Sequence, residues 1–214
     1  MKPGEVISTP PDSSRRGLPR EGNQRRDGGK ISQASVWTAT PAADFEGPHF
    51  WGAYPRDFIR WACQVMQCDR QEVFHLCSGS LPKGEGAFRV DIRPEVLPDL
   101  VADCRALPLA DGCAAAVLLD PPYSVEYAQD LYSTEYPRPS ALLAEAARIA
   151  KPSAPIGLLH FLMPLPPADT RIERVYGVTT GPGYRIRAFT IYRKQQQGLF
   201  ESSPTTSTDK QHER

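Results

Sequence analysis

The sequence lacks several features that would place it in a special class of protein. No apolar run approaches the ~20 residues that a membrane-spanning helix needs, and the first 17 residues contain no apolar core of a signal peptide. Lysine plus arginine and aspartate plus glutamate both number 25, so the chain carries no net charge. The five cysteines form no CxxC pair, which disfavours both a zinc site and a disulfide framework. We therefore expect a soluble, cytoplasmic protein without membrane contact or metal ion, in which any nucleic acid has to meet a local patch.

Composition divides the 214 residues into one domain and two tails. Residues 1–47 are rich in proline, glycine, serine and arginine and hold few large apolar side chains, which predicts a disordered N-terminal tail. Residues 195–214 predict a disordered C-terminal tail, and residues 48–194 suffice for one folded domain. The basic residues of the first tail leave two alternatives open: a weak nucleic-acid arm, or a solvated segment without a role in the chemistry.

Short apolar runs alternate with helical segments inside the domain. Helical periodicity predicts amphipathic helices at residues 56–67 and 140–151. Strands are predicted at residues 72–77, 87–92, 99–103, 114–120, 156–164, 172–180 and 185–194. This order indicates an α/β fold with an open, mostly parallel sheet.

Two turns shape the predicted sheet. Gly181-Pro182-Gly183 separates the last two strands and predicts a C-terminal antiparallel hairpin. Only eleven residues run from Ser78 to Phe88, so the first crossover is predicted to be abbreviated to a loop or a single helical turn.

Small or polar residues follow each of the first four predicted strands. These ends are Cys77-Ser78-Gly79-Ser80, Asp91, Asp103-Cys104 and Asp120-Pro121-Pro122-Tyr123. Ligands of open α/β sheets bind beyond the carboxyl ends of the strands. Carboxylates there suit a nucleoside, because they accept hydrogen bonds from ribose hydroxyls and from an adenine amino group.

The same residues resemble those of class I S-adenosylmethionine-dependent methyltransferases. More narrowly, they resemble the amino-methyltransferases whose D/N/S-P-P-Y/F/W motif acts on DNA or RNA bases. The resemblance is most specific at Asp120-Pro121-Pro122-Tyr123. It implies a Rossmann-like fold, S-adenosylmethionine as cofactor and a nucleic-acid partner, DNA first and RNA second. The positions implied to bind the cofactor are Tyr54, Pro55, Cys77, Ser78, Gly79, Asp91, Asp103 and Cys104.

The chain also departs from the pattern of this family. Phe74 and His75 stand where an acid is usual, and Gly79 is the only glycine within the first turn. No segment is left over for a separate target-recognition domain, so a protein partner that supplies sequence specificity is expected.

The motif Asp120-Pro121-Pro122-Tyr123 suits transfer of a methyl group to an exocyclic amine. The lone pair of such an amine is delocalised into the base, and two acceptors on its N–H bonds draw the nitrogen towards a tetrahedral geometry. By the resemblance, the acceptors are the Asp120 side chain and the Pro121 carbonyl, and Tyr123 offers a flat face for stacking. Both prolines fix the backbone.

Tyr127 and Tyr132 are predicted to form a wall of the substrate pocket, although Tyr127 could equally pack its helix against the domain. His160 is interpreted as a satisfied core histidine. Arg185, Arg187 and Arg193 are interpreted as a solvated face, with a basic groove as the alternative.

The leading functional hypothesis is methylation of an exocyclic amino group of a nucleobase, adenine N6 in DNA above all. The alternatives are methylation of an RNA base, a protein side chain or a small molecule on the same fold. A non-catalytic binding module that keeps the fold without the cofactor is a further alternative, because the first turn is poor in glycine.

Overall fold

The computed structural model describes residues 36–38, 54–55, 57–131, 133–180 and 184–196. Several predictions therefore lie outside the described residues. They concern Tyr132, the turn Gly181-Pro182-Gly183, residues 197–214 and all of the predicted N-terminal tail except residues 36–38. None of the helices in the described part of the chain is long and apolar enough to cross a membrane.

Eight strands in the described ranges form one sheet. In chain order they are β1 Val36–Thr38, β2 Val73–Leu76, β3 Phe88–Asp91, β4 Leu100–Val101, β5 Ala116–Leu119, β6 Pro155–His160, β7 Thr170–Thr179 and β8 Arg187–Lys194. Their order across the sheet is β1-β7-β8-β6-β5-β2-β3-β4. Strand β8 runs antiparallel to β6 and β7, and the other described strand pairs are parallel. The mostly parallel sheet with a closing antiparallel pair is thus confirmed.

Strand β1 corrects the prediction that residues 1–47 form a tail throughout. Val36 pairs with Gly177 and Thr38 with Thr179, so this short segment extends the sheet beyond β7. Three residues are too few to change the composition of a polar segment of this length, and composition therefore did not indicate the strand.

The hydrophobic core has two halves, one on each face of the sheet. Helix α1, Phe58–Met66, covers one face and helix α2, Pro139–Ile149, the other. Side chains alternate along β5, so that Ala116 and Leu118 join the α1 half while Val117 and Leu119 join the α2 half. All four are buried, and a strand buried on both faces has a continuous apolar sequence.

The first crossover, residues 77–87, contains turns and no helix, as its length predicts. Gly86 lies so close to β2 that a Cβ atom there would come within 2.6 Å of both the His75 Cδ2 atom and the Val73 carbonyl oxygen. The loop therefore packs directly on β2 without an intervening helix, and the carboxyl ends of β2 and β3 stay open. The connection between β5 and α2 includes a π-helical segment at Tyr127–Leu131, a distortion that is frequent at functional sites.

Candidate active site

The turn after β2 is held by its own backbone N–H groups, which donate to acceptors on the neighbouring strand β3. Cys77 and Gly79 both have a left-handed backbone, with φ angles of 55° and 54°. The Ser78 N–H donates to the Val90 carbonyl at 2.9 Å, and the Gly79 N–H donates to Asp91 Oδ2 at 2.8 Å. Cys77 thus takes a conformation that glycine usually supplies, which explains how one glycine suffices in this turn.

Asp91 is the last residue of β3 and Asp103 follows the short β4, and each is paired with the arginine two positions later. Asp91 is only 5% exposed, and its Oδ1 accepts from the Arg93 N–H at 3.0 Å and from Arg93 Nε at 3.2 Å. Asp103 accepts from the Arg105 backbone N–H and from Nε and Nη2 of its guanidinium, at 2.7 to 3.0 Å. These hydrogen bonds lower the pKa of Asp103.

The two arginines were not predicted as part of the site. A signal was present, because Asp-x-Arg follows two successive strands, at residues 91–93 and 103–105. Arg105 also donates to Glu135 Oε2 at 2.8 Å, and so links the turn after β4 to the segment that precedes α2.

Residues Asp120–Tyr123, which we call the clamp loop, follow β5. The Tyr123 hydroxyl donates to Asp120 Oδ1 at 2.6 Å and accepts from Arg187 Nη1 at 2.9 Å. Burial raises the pKa of Asp120 to about 6, although the Tyr123 hydrogen bond and the Arg187 charge act in the opposite direction. Asp120 is therefore a half-buried carboxylate whose pKa lies well above that of an ordinary aspartate.

Two interpretations of residues near the clamp loop need correction. Arg187 does not lie on a solvated face, because it reaches Tyr123 from β8 and its charge faces Asp120. Arg193 is paired with Glu173, its Nε lying 2.6 Å from Glu173 Oε2. Alternation along a strand shows which residues share a face, and does not reveal whether that face meets another loop.

His160 is buried and hydrogen-bonded, as interpreted from the sequence, but it stands at the end of β6. The Leu162 N–H donates to its Nδ1 at 2.8 Å, and its Nε2 lies 3.3 Å from the Pro122 carbonyl oxygen. The histidine therefore touches the clamp loop.

Aromatic rings surround Tyr123. The ring of Tyr127 meets it edge-on at a centroid distance of 6.4 Å, and Phe161 lies tilted at 4.8 Å. Tyr127 is 44% exposed, which favours a wall of an open pocket over a core contact for this residue. The Arg185 guanidinium lies 5.8 Å from the Phe161 ring centre.

One cleft brings many of the predicted site residues together. It measures about 610 Å³ with its open mouth, and Arg93, Arg105 and Glu135 are among its walls. The predicted residues that line it are Cys77, Gly79, Asp91, Asp103, Cys104, Asp120 and Pro122.

Other predicted residues lie outside the lining of this cleft. Tyr54 and Pro55 line a neighbouring hollow of about 770 Å³, yet the Asp120 charge is near enough to raise the pKa of Tyr54 further, beyond the effect of burial. Ser78 is buried in the turn. No cluster of three or more metal-binding side chains occurs among the residues that the structure describes.

Comparison with known proteins supports the fold. No family model and no curated protein matches the sequence. TrmN from Thermus thermophilus is 18% identical with a TM-score of 0.50, and the match covers 67% of this chain and 50% of that one. A SAM-dependent methyltransferase from Aquifex aeolicus is 15% identical with a TM-score of 0.41, over 64% of this chain and 88% of that one. The match to TrmN thus spans half of its length, and together with the strand order it confirms the predicted Rossmann-like fold.

Proposed function

We propose that this chain is an S-adenosylmethionine-dependent methyltransferase that modifies an exocyclic amino group of a nucleobase, adenine N6 in DNA above all. The observation that carries the proposal is the single cleft that contains Asp91, Asp103 and Asp120. Carboxylates that can bind a nucleoside therefore lie in the same cleft as a carboxylate that can accept a hydrogen bond from an amine.

Unpaired hydroxyls beside the cleft fit a bound cofactor. Ser78 Oγ and Tyr54 Oη are buried and have no hydrogen-bond partner among the described residues. Leaving such a group unpaired costs about 1–3 kcal/mol, and a bound ligand would offset that cost. Asp91 Oδ2 accepts one described hydrogen bond, from Gly79, and can accept another from a ribose hydroxyl.

Asp103 fits the expected role less directly. The contacts from Arg105 occupy both of its oxygens, so an adenine amino group would bind there only if Arg105 moved aside. Arg105 is about one third exposed and could do so. Cys77 and Cys104 would line the cofactor as small side chains.

The clamp loop would hold the amine. A bound S-adenosylmethionine would supply a methyl group on a positively charged sulfur. Asp120 uses Oδ1 for Tyr123, which leaves Oδ2 to accept one N–H of the amine. No described residue donates to the Pro121 carbonyl, which can accept the second N–H. With a pKa of about 6, Asp120 is ionised at neutral pH and stabilises the charge that develops on the nitrogen.

The surroundings of Tyr123 favour a flat substrate. Tyr127 and Phe161 border its ring, and Arg185 and Arg187 add positive charge close by. Aromatic rings with arginines suit a base and its phosphates. A base from a duplex would have to flip out to reach the clamp loop. We further propose that a partner protein supplies sequence specificity.

The test is transfer of a labelled methyl group from S-adenosylmethionine. Double-stranded DNA, single-stranded DNA and total RNA are offered in turn, with Asp120→Ala as control, and the products are digested to nucleosides. Label in N6-methyladenine of DNA that disappears in the control is the expected result. Label in RNA alone would keep the chemistry and change the substrate. No label, with no calorimetric binding of S-adenosylhomocysteine, would instead support a non-catalytic binding module.

A further inference from the structure

The clamp loop has few backbone N–H groups with which to form hydrogen bonds to neighbouring elements. Pro121 and Pro122 have no backbone N–H, so neither can anchor the loop by donating a hydrogen bond. The loop can be anchored at this point only through its carbonyl oxygens, and a carbonyl needs a donor from another element. The Pro121 carbonyl has to stay free if it is to accept from the amine, which leaves the Pro122 carbonyl as the anchor.

His160 supplies that donor. Its Nδ1 accepts the Leu162 N–H at 2.8 Å, so Nδ1 cannot carry a proton. In the neutral ring the proton therefore resides on Nε2, which faces the Pro122 carbonyl oxygen at 3.3 Å. The hydrogen bond from Leu162 to Nδ1 thus selects the tautomer that can donate from Nε2 to Pro122. Functional histidines are commonly oriented in this way, by a hydrogen bond at the other ring nitrogen.

The same ring also contacts the tyrosine of the loop. The centroids of His160 and Tyr123 are 5.5 Å apart at an angle of 65°, which is an edge-to-face contact. His160 is fully buried and paired in register with Ala188 of β8, so its own position is set by the centre of the sheet. It links this rigid element to both the carbonyl and the aromatic ring of the clamp loop.

We propose that His160 is a positioning residue, whose Nε2–H holds the Pro122 carbonyl so that Asp120 and the Pro121 carbonyl face the amine together. This inference rests on the proposed methyl transfer. His160 does not touch the amine, and its effect is on the rate of transfer, while the binding of cofactor is unchanged.

Two substitutions separate its two hydrogen bonds. In His160→Gln, the side-chain N–H₂ group extends to the place of Nε2 and can still donate to Pro122. In His160→Asn, the amide oxygen takes the place of Nδ1 and can still accept from Leu162, but nothing reaches Pro122. Tyr192→Phe is the matched control, because the Tyr192 hydroxyl donates to the Pro164 carbonyl at 2.8 Å, in the same connection after β6 and away from the clamp loop.

The expected result is a split between the variants. His160→Asn should lower kcat by about ten- to a hundredfold, the range typical of a misplaced reactive geometry, with an unchanged Kd for S-adenosylhomocysteine. His160→Gln should recover most of that loss, and Tyr192→Phe should lower the melting temperature without changing kcat. Equal kcat values for the Asn and Gln variants would overturn the proposal, since a purely structural histidine would not distinguish them.

Nitrogen NMR of the labelled full chain tests the contact without activity. A neutral ring protonated on Nε2 is expected for His160 at pH 7, with assignment by comparison with His160→Gln. A proton on Nδ1 would overturn the proposal directly. If the wild-type chain transfers no methyl group to any substrate, the proposed function fails and the role in transfer fails with it. The NMR result then still shows whether His160 carries the Nε2 proton that the contact to the Pro122 carbonyl requires.

Discussion

Asp120 combines a half-buried side chain with a pKa of about 6. Burial disfavours its charged form, whereas the Tyr123 hydroxyl and the Arg187 charge favour it. The group is therefore ionised at neutral pH but close to the point at which it would take up a proton. In its ionised form the group has no proton to donate, and it accepts hydrogen bonds from an amine.

Replacing Asp120 by asparagine separates its charge from its shape. Methyl transfer by the wild-type chain should rise with pH through about 6, because the carboxylate accepts on both oxygens only when ionised. Asp120→Asn keeps one acceptor oxygen and loses the charge, so its rate should fall by about a hundredfold and no longer change near pH 6. The measurement is kcat from pH 5 to 8. A variant that kept the pH step would show that another group titrates.

Arg187 should determine the pH at which the rate of methyl transfer rises. Its guanidinium donates to the Tyr123 hydroxyl and lowers the pKa of Asp120, so Arg187→Met should move the midpoint of the pH profile upwards. Arg185→Met is the matched control, since Arg185 is exposed and lies over Phe161; its profile should keep the wild-type midpoint. Equal midpoints in wild type and Arg187→Met would exclude the influence of Arg187 on Asp120.

Among the elements, the first crossover lacks the helix of a full βαβ unit. Ten residues, 78–87, join β2 to β3 after Cys77, and Gly84 and Gly86 both have left-handed φ angles, 89° and 83°. They differ in their surroundings, because a Cβ on Gly84 would meet nothing within 4 Å, whereas one on Gly86 would collide with His75 and with the β2 backbone. Backbone strain and overpacking can therefore be measured separately here.

Gly84→Ala and Gly86→Ala form a pair for this measurement. Gly84→Ala should lower the free energy of unfolding by about 1–2 kcal/mol, because alanine is strained in a left-handed backbone conformation. Gly86→Ala should cost about 1–3 kcal/mol more, because the loop must move away from β2. Urea unfolding of both variants gives the difference. Equal losses would mean that the loop shifts freely and is not held against His75.

The elements were predictable to different degrees, for physical reasons. Strands such as β5 are buried on both faces and therefore show as apolar runs, and the acids that follow them mark the edge where ligands bind. Strand β1 has three residues in a polar segment and therefore shows no apolar run in the sequence. The partners of the site were least predictable, since Arg187 and Tyr123 are 64 positions apart and meet only through strand order.

At the scale of the whole molecule, the two halves of the core differ in polarity. The α1 half adjoins His75, which is fully buried and whose two ring nitrogens have no partner among the described residues. Its ring meets Tyr54 edge-on at 5.9 Å. Burial first, and then the charges of Arg70 and Arg89, lower the pKa of His75 to about 4. The folded chain therefore holds this histidine neutral.

His75 should consequently lower the free energy of unfolding in a defined acid window, in which Asp120, with its raised pKa, acts in the opposite direction. An unfolded histidine has a pKa of about 6.5, so between pH 6.5 and 4 the unfolded chain binds more protons at this position than the folded chain does. The contribution of His75 to the free energy of unfolding is complete above pH 6.5. It is lost as the pH falls towards 4, and the loss is about 3 kcal/mol in all. Carboxylates whose pKa is lowered by arginine, such as Asp99 and Asp103, lose their contributions only below about pH 4.

His75→Leu isolates this contribution. Leucine cannot take up a proton, while Asp120 and the other titrating groups are kept in both chains. The wild-type free energy of unfolding minus that of the variant therefore isolates His75, and it should fall by about 3 kcal/mol between pH 6.5 and 4. Urea unfolding at half-unit pH intervals gives both curves, and the wild-type curve should fall relative to the variant curve as the pH falls, because only the wild type has a buried histidine to charge. Parallel curves would mean that His75 takes up its proton within the folded state at an ordinary pKa, and the loop of residues 77–87 would then have to admit water to its ring.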